Sequence, residues 1–497
     1  MAGLKSLAKD TAIYGMSSII GRFLNYLLVP LYTVKLSVES GGYGVVTNIY
    51  AMTALLLVIL TYGMETGFFR FANDHKENSQ TVYSTTLLSV GTTSLLFAVV
   101  CLLFQEPIAA FFGYGEHPEF ISMMAVVVAL DAFQCIPFAY LRYKKRPIKF
   151  AALKLLFIFS NILLNLIFFV WCPAVYKSHP EWVSWFYSPA YGVGYVFLAN
   201  LICTSAITFC FVKELTGFKY TFDKELLRRM LSYSFPILIL GIAGILNQSV
   251  DKIIFPLLFE DKTEASVQLG IYGAASKIAM IMALLTQAFR YAYEPFVFGK
   301  SQDKDNRQTY ADAMKFFIIF TLLAFLGVMF YLDILRYVIA PGYWSGLKVV
   351  PIVMAGSMFM GIYFNLSFWY KLIDKTIWGA YFSLIGCALV IGLNVIFVPV
   401  YGYMACAWAS FAGYAVVMLL SYFVGQKQYP IDYDLKSIGR YTLLAVILYI
   451  PAMYVPIENI FLCLAFRTVL IFIFIAYMVK KDFPLSRIPI INRLIKK

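Results

Sequence analysis

Long apolar runs alternate with short polar loops along almost the entire chain of 497 residues. A run of about 20 apolar residues is long enough to cross the hydrocarbon core of a bilayer as a helix. Such a helix satisfies its backbone hydrogen bonds internally, as the membrane interior requires. The pattern therefore predicts an all-α polytopic membrane protein with about 14 transmembrane helices. The predicted spans begin near residues 11, 44, 80, 119, 149, 188, 231, 267, 312, 346, 376, 400, 439 and 459.

The polar loops are too short to form a soluble domain, and one of them divides the chain. The stretch KELTGFKYTFDKELLRRM, residues 213–230, is predicted to be a cytoplasmic amphipathic linker that forms a short helix on the membrane surface. It separates an N-lobe of six spans, residues 1–212, from a C-lobe of six spans, residues 231–425. Residues 426–497 contain the last two spans and a cytoplasmic tail.

The two predicted lobes share a weak internal repeat. A shift of 229 residues brings identical residues into register at several positions. The matches include Tyr43 and Gly44 with Tyr272 and Gly273, and Glu65 with Glu294. Because six spans separate the copies, both copies have the same orientation in the membrane. A substrate path between two such lobes, opened alternately to each side, is the physical expectation.

Basic residues are concentrated in alternate loops. Outside the spans, 28 Lys and Arg residues lie on one side of the membrane and 5 on the other. The richer side is cytoplasmic by the positive-inside rule, so both termini are predicted to be cytoplasmic. With 61% hydrophobic and 13% charged residues, the composition excludes a soluble protein. The net charge of +13 reports this topology, since no basic run with interleaved aromatics indicates a nucleic-acid surface.

Motifs for catalysis are missing from the sequence. The three histidines, His75, His117 and His179, lie in loops without metal-ligand spacing. No Walker loop or nucleophile elbow is present, and the 8 cysteines are scattered without a CxxC motif. We therefore expect a secondary transporter that is not an enzyme and that has no metal site and no cofactor.

Five basic residues within the predicted spans are candidates for substrate binding. Arg22 lies at the middle of the first span, where a charge costs about 2.5 to 3.5 kcal/mol on insertion scales. Lys252 and Lys277 are also deep, whereas Lys154 and Arg290 lie near cytoplasmic ends and can reach the headgroups. The deep residues are predicted to line a cationic cavity for an anionic substrate such as a phosphate or pyrophosphate.

Two acidic residues within spans are candidates for cation coupling. Asp131, deep in the fourth span, is the first candidate for a proton or sodium site, and Asp251 is the second. The alternative for Arg22 is a structural charge paired with Asp131 or another acid inside the bundle. Asp251 is adjacent to Lys252, and because neighbouring side chains on a helix point in different directions, the two are not expected to pair.

Two further acids, Glu65 and Glu294, occupy equivalent positions at the cytoplasmic ends of spans. They are close in sequence to Arg70 and Arg290 respectively. A gate made of Glu–Arg pairs and a purely structural ion-pair cluster are equally compatible with this pattern. Arg467, in the last span, is expected to serve either helix packing or a lipid headgroup.

Three stretches carry a resemblance to a known family. They are GRFLNYLLVPLYT in the first span, LRYKKRPIKFAALKLLFIFSNILLNLIF across the fourth loop and fifth span, and GLNVIFVPVYGYMACAWASFAGY across spans eleven and twelve. On these stretches the chain resembles the polysaccharide flippases, the Wzx group, of the multidrug/oligosaccharidyl-lipid/polysaccharide (MOP) transporter superfamily. The resemblance covers almost the full length, and sister lipid II flippases share the architecture.

The resemblance implies a MATE-like fold of two six-helix lobes around a cationic cavity, with two additional C-terminal helices. It implies cation-coupled movement of an undecaprenyl-pyrophosphate-linked oligosaccharide, destined for O-antigen or capsule, across the bacterial inner membrane. By analogy, Arg22, Lys252 and Lys277 would contact the pyrophosphate and sugars. The expected protein is a monomer that works with a polysaccharide polymerase and glycosyltransferases. The alternatives are a multidrug or cation antiporter of the same superfamily and an integral-membrane glycan polymerase or ligase.

Overall fold

The structure, a computed structural model, describes residues 24, 26–74, 77–299, 306–373 and 375–482. Within these ranges the side chains of residues 291, 292, 294–299 and 306 are not described. Most of the first predicted span, including Arg22, and the C-terminal tail lie outside the described residues.

The described part of the chain is helical and contains no β-strand. The helices are α1 Leu28–Lys35, α2 Gly42–Thr61, α3 Met64–Ala72, α4 Ser79–Leu103, α5 Gln105–Phe112, α6 Pro118–Tyr143, α7 Pro147–Leu166, α8 Cys172–Ser178, α9 Pro180–Val183, α10 Gly194–Phe209, α11 Val212–Leu215, α12 Lys224–Ile254, α13 Lys262–Gly299, α14 Asn306–Phe330, α15 Leu332–Leu335, α16 Val350–Leu366, α17 Phe368–Leu372, α18 Ile377–Tyr401, α19 Tyr403–Gln428, α20 Leu435–Tyr454 and α21 Ile460–Lys481. Short 3-10 or π turns lie between some of them, at Ile167–Trp171, Pro189–Tyr191, Phe255–Leu258, Arg336–Val338 and Pro341–Val349.

Within the described ranges, 12 helical segments are long and apolar enough to cross a membrane. Each of them corresponds to a predicted span. The predicted sixth span is the shorter apolar helix α10, and the predicted first span lies mainly outside the described residues. The all-α membrane fold is therefore confirmed, with a number of spans close to that predicted.

Many large apolar side chains are on the outside of the helical bundle. Leu103, Val400 and Phe461 are exposed by 73%, 72% and 79% of their surface. A soluble protein would lose solubility with such a surface, whereas lipid tails solvate it without cost. The exposed apolar surface therefore agrees with the membrane assignment.

The described chain divides into two compact units. Unit 1 comprises Met1–Ala274 and Leu393–Tyr403, and unit 2 comprises Ala275–Gly392 and Met404–Lys497, so far as these ranges are described. The division falls inside α13 and α18, and α12 belongs to unit 1. The predicted lobe boundaries at residues 213–230 stay a prediction.

Unit 1 is built on α6, which packs against α2, α4 and α10. One of its hydrophobic cores contains Met64, Phe68 and Tyr83, together with Met230 from α12. In unit 2, α14 packs against α16, α20 and α21. An aromatic core of unit 2 surrounds Trp369.

The prediction that the linker, residues 213–230, forms one short helix is wrong. Helix covers only Val212–Leu215, and the chain is then non-helical until α12 begins. The Asp223 carboxylate accepts hydrogen bonds from the first backbone N–H groups of α12 at 2.9 Å, which starts the long helix there. The Thr221 N–H donates to the Ser84 hydroxyl at 2.9 Å, so the non-helical segment is bound to α4 instead of continuing as helix.

A buried ion pair anchors the same linker. Both carboxylate oxygens of Glu214 accept hydrogen bonds from the Lys149 ammonium, at 2.6 and 2.8 Å. The Glu214 carbonyl also accepts a hydrogen bond from the Tyr83 hydroxyl at 3.0 Å. The start of the linker is therefore fixed to helices α4 and α7 of unit 1.

Candidate functional site

Asp251, Lys252 and Tyr272 form a polar cluster between α12 and α13 in unit 1. The Lys252 ammonium lies 3.2 Å from both carboxylate oxygens of Asp251, and the Tyr272 hydroxyl donates to one of them at 2.7 Å. The expectation that these two neighbours do not pair is wrong. The four-carbon lysine side chain curls back over the Tyr272 ring, 5.2 Å from its centroid, and so reaches the preceding carboxylate.

The backbone next to this cluster is held by Asn48, a residue that sequence reasoning missed. The Asn48 amide nitrogen donates to the carbonyls of Lys252 and Ile253 at 2.6 and 3.2 Å. The Tyr114 hydroxyl donates to the Asn48 amide oxygen at 2.7 Å. The sequence did contain a signal that could have identified Asn48, because it is a polar amide inside an apolar span.

Asp131 and Lys154 lie near enough to interact electrostatically inside unit 1. Asp131, on α6, lies within electrostatic range of Lys154 on α7 and close to Thr204 on α10. The Lys154 ammonium also lies 4.0 Å from the centre of the Phe138 ring. The described geometry thus gives Asp131 a lysine counter-charge, while Arg22, the predicted alternative partner, lies outside the described residues.

Glu65 pairs with an arginine, although not with its neighbour in sequence. Its carboxylate forms an ion pair with Arg142 near the C-terminal end of α6. Arg70 instead stacks on the Tyr233 ring, 4.3 Å from its centroid. The Glu–Arg gate stays a prediction, because the side chain of the equivalent Glu294 lies outside the described part of the chain.

The remaining predicted binding residues lie on α13 in unit 2. Arg290 places its guanidinium 5.1 Å from the Phe364 ring centre, and Lys277 is half-buried. Lys252 belongs to unit 1 and Lys277 to unit 2. Their grouping with Arg22 in one cationic cavity therefore stays a prediction.

Among the residues that the structure describes, no three His, Cys, Asp or Glu side chains lie close enough together to hold a metal ion. Several charged groups of the described helices form pairs of one acid and one base, such as Lys252 with Asp251 and Arg142 with Glu65. Such pairs can exchange a partner for an external anion or cation without leaving a bare charge in the membrane. The described chemistry therefore suits binding of ions and charged headgroups.

Comparison with known proteins adds sequence and fold relatives. A family model described as polysaccharide biosynthesis protein matches residues 7–289, more than half of the chain. A protein of the Lsg locus of Haemophilus influenzae is 21% identical over 299 residues, which are 60% of this chain and 67% of that protein.

Two solved structures share the fold. A lipid II flippase, MurJ, in an inward closed conformation has a TM-score of 0.73 at 17% identity, covering 94% of this chain and 98% of that one. An inward-facing multidrug resistance MATE transporter of the MOP superfamily has a TM-score of 0.61 at 14% identity, covering 84% and 95%. At these identities the likeness concerns the fold alone.

Proposed function

The chain belongs to the family of polysaccharide biosynthesis proteins, and from that membership we propose that it is a flippase for a lipid-linked oligosaccharide. The cargo is an undecaprenyl-pyrophosphate-linked repeat unit, which moves from the cytoplasmic to the outer leaflet by alternating access. The observation that carries the proposal is the family match over residues 7–289 in a chain whose described helices cross the membrane many times.

Lys252 supports an anionic cargo. Its ammonium is balanced by Asp251 on the same helix, so the resting protein carries no bare charge there. A pyrophosphate carries charge enough to replace the carboxylate as the partner of the ammonium. We place Arg22, Lys277, Arg290 and Lys154 with Lys252 as the basic groups that the headgroup contacts on its path.

Asp131 supports coupling to a cation. A proton or sodium ion on this carboxylate would neutralise it and release the Lys154 ammonium from its counter-charge. The helices α6, α7 and α10 that meet at this point would then repack. We propose Asp131 as the coupling site, with H⁺ or Na⁺ as the ion.

The proposed location is the bacterial inner membrane, with both termini in the cytoplasm. The protein acts as a monomer without a cofactor, receives its cargo from glycosyltransferases and delivers it to a polysaccharide polymerase. The positive-inside distribution supports the orientation.

The test is transport by the purified full chain in proteoliposomes. A labelled undecaprenyl-pyrophosphate glycan is placed in one leaflet, and its arrival in the other is measured with and without a cation gradient. The Lys252→Gln variant is compared with the parent chain. It is expected to bind and move the glycan more slowly. Absence of protein-dependent movement, together with efflux of a cationic dye, would instead favour the multidrug antiporter.

A further inference from the structure

Two tryptophans stand out on the surface of unit 1, just after α8. Trp182 and Trp185 are exposed by 63% and 82% of their surface. Two exposed polar residues accompany them, His179 and Glu181, whose side chains lie 3.4 Å apart. These four residues are called the outer aromatic surface below, because the proposed orientation places them on the outer side of the membrane.

The helical segment that leads to this surface, Pro147–Ser178, is longer than a membrane requires. Its 32 residues extend about 48 Å at 1.5 Å per residue, whereas the hydrocarbon core is about 30 Å thick. In this segment, every residue of which the structure describes, the exposed large apolar side chains extend from Ile148 to Trp171. Tryptophan is typical of the boundary between lipid tails and headgroups, so Trp171 marks the outer edge of the hydrocarbon.

The outer aromatic surface lies well beyond that edge. After Trp171 the helix continues through Cys172–Ser178, which adds about 10 Å. The His179 ring follows directly and stacks on the Trp182 indole, 4.8 Å between centroids, so Trp182 lies at the level of the helix end. The headgroup layer on each side of a bilayer is about 5 to 8 Å thick. The two tryptophans that follow α8 therefore reach its outer limit, where water and sugars are found and lipid tails are not.

The hydrogen bond of Trp185 also distinguishes it from a tryptophan that anchors a protein in the headgroup layer. In such an anchor the indole N–H is the polar end that faces headgroups and water. The Trp185 N–H instead donates to the Trp182 carbonyl at 3.1 Å, within the same loop. The exposed part of Trp185 is therefore a flat apolar ring without a donor.

A buried aromatic layer holds the loop in place. Val183 is buried, and the Tyr187 ring packs between those of Tyr176 and Tyr195, at 6.0 and 5.1 Å between centroids. The Ser188 backbone N–H donates to the Tyr195 hydroxyl at 2.7 Å. A surface that is already ordered loses little conformational entropy when it binds a ligand.

The chemistry of this surface suits a sugar. A pyranose ring has a flat face of C–H groups, which packs against an apolar ring, and a rim of hydroxyl groups. The Glu181 carboxylate accepts hydrogen bonds from hydroxyls, and the His179 imidazole can donate or accept them. A flat apolar face beside such polar groups, exposed to water, is what a ring of this kind requires.

From these observations we propose that the outer aromatic surface is a glycan-binding site, in which Trp182 and Trp185 stack on sugar rings and Glu181 and His179 bind their hydroxyls. The ligand is the sugar portion of the cargo, bound on the outer side of the membrane. This inference rests on the proposed function for the identity of the cargo and for the orientation.

The first test measures whether the tryptophans contact lipid. The full chain is placed in nanodiscs whose lipids carry bromine on the acyl chains, which quenches the fluorescence of tryptophans that touch them. The contribution of the pair is the difference between the parent chain and Trp182→Phe/Trp185→Phe, and the matched control is Trp171→Phe. Quenching is expected for Trp171 and not for the pair. Equal quenching of both would place the pair among lipid tails and overturn the proposal.

The second test measures glycan binding directly. The probe is the oligosaccharide mixture that mild acid releases from the undecaprenyl-pyrophosphate lipids of the native cells, titrated into the full chain in nanodiscs. Trp182→Ala/Trp185→Ala is expected to raise the Kd on the order of tenfold, because two stacking rings are lost. Trp171→Ala is expected to leave the Kd unchanged. Absence of binding by the parent chain, or an unchanged Kd in the double variant, would contradict the proposal.

Conservative and single variants separate stacking from a general effect on the loop. Trp182→Phe/Trp185→Phe keeps two aromatic rings and is expected to retain most of the binding. If the double alanine variant does not accumulate, Trp185→Ala alone removes the more exposed ring, and an unchanged Kd would again contradict the proposal. A phenylalanine variant that binds as weakly as the alanine variant would mean that the loop structure, and not stacking, determines binding.

The outcomes also separate this site from the proposed function. Glycan binding that depends on the two tryptophans, without any glycan movement in proteoliposomes, would contradict the flippase and leave the site in place. Glycan movement by a chain whose binding is insensitive to both tryptophans would contradict the site alone.

Discussion

Individual polar side chains inside this molecule form hydrogen bonds, some of them with residues that are distant in sequence. The Tyr32 hydroxyl, in the described end of the first predicted span, donates to Asn165 on α7 at 2.9 Å. Asn165 in turn donates to the Asn161 carbonyl at 2.8 Å. With no water in a bilayer core, an amide without such a partner would be costly, so these residues join helices as polar residues in spans commonly do.

The coupling role of Asp131 is tested by Asp131→Asn. The amide keeps the shape of the side chain but carries no charge and takes up no proton or sodium ion. We expect transport in proteoliposomes to lose its dependence on a cation gradient. The measurement is the ratio of initial transport rates with and without the gradient.

The control for this variant is Glu214→Gln. Glu214 is also a buried carboxylate paired with a lysine in unit 1, at 2.6 Å from Lys149, but it anchors the linker. It is expected to keep the gradient dependence. If Asp131→Asn retains the same gradient ratio as the parent protein, Asp131 is not the coupling site.

At the scale of helices, α20 and α21 are attached to α14 at both ends within unit 2. At one end the Asp482 carboxylate accepts hydrogen bonds from Lys315 at 3.0 Å and Tyr441 at 2.6 Å. At the other end Arg467 donates to the Phe330 and Ala452 carbonyls at 3.0 Å each. Arg467 therefore serves helix packing, one of its two expected roles.

Removal of the Arg467 guanidinium is expected to loosen this attachment. Arg467→Met removes the donor to two helix-end carbonyls and to the Asp333 carboxylate, which is 2.6 Å from the guanidinium and retains its longer ion pair with Arg336 at 3.8 Å. Breaking a buried pair costs about 3 to 5 kcal/mol, and because Asp333 is one-third exposed we expect a loss of about 2 kcal/mol. Thermal unfolding of the purified chain in detergent measures the shift.

Arg440→Met is the control for Arg467→Met. Arg440 is an arginine on α20 whose hydrogen bonds go to Lys436 and Ser437 of its own helix. Its replacement is expected to leave the unfolding temperature nearly unchanged, because exposed contacts of this kind contribute little. Equal shifts in the two variants would contradict the attachment of α21 through Arg467.

At the scale of the whole molecule, the distribution of charge predicts the orientation in the membrane. Of the basic residues outside spans, 28 lie on one side and 5 on the other. Translocating a cluster of basic residues near the end of a span is unfavourable, which keeps the richer side in the cytoplasm. Lys177, in the last turn of α8, belongs to the predicted outer side, and Lys224, at the start of α12, to the predicted inner side.

These two positions test the orientation of the full chain. In intact cells an impermeant maleimide is expected to label Lys177→Cys directly and Lys224→Cys only after permeabilisation. Each single substitution is compared with the parent chain, which measures labelling of the native cysteines. The reverse pattern would invert the orientation and, with it, the proposed direction of transport.

The pattern of apolar and polar residues was enough to predict the class of fold and nearly all of the membrane spans. This was possible because the bilayer acts on each segment locally: a stretch of about 20 residues must be apolar and must bond its own backbone. The same local rule identified Asp131, Lys252 and Asp251 as unusual, since a charge within an apolar run stands out without knowledge of its neighbours.

Which of these groups contact each other was set by the tertiary structure. It paired Lys252 with Asp251, Glu65 with Arg142 in place of Arg70, and Asn48 with the end of α12. Asn48 and the carbonyl of Lys252 are 204 positions apart in sequence, and no periodicity within one span encodes such a contact. Pairing depends on how helices cross, and crossing depends on the small residues and side-chain shapes of both partners at once.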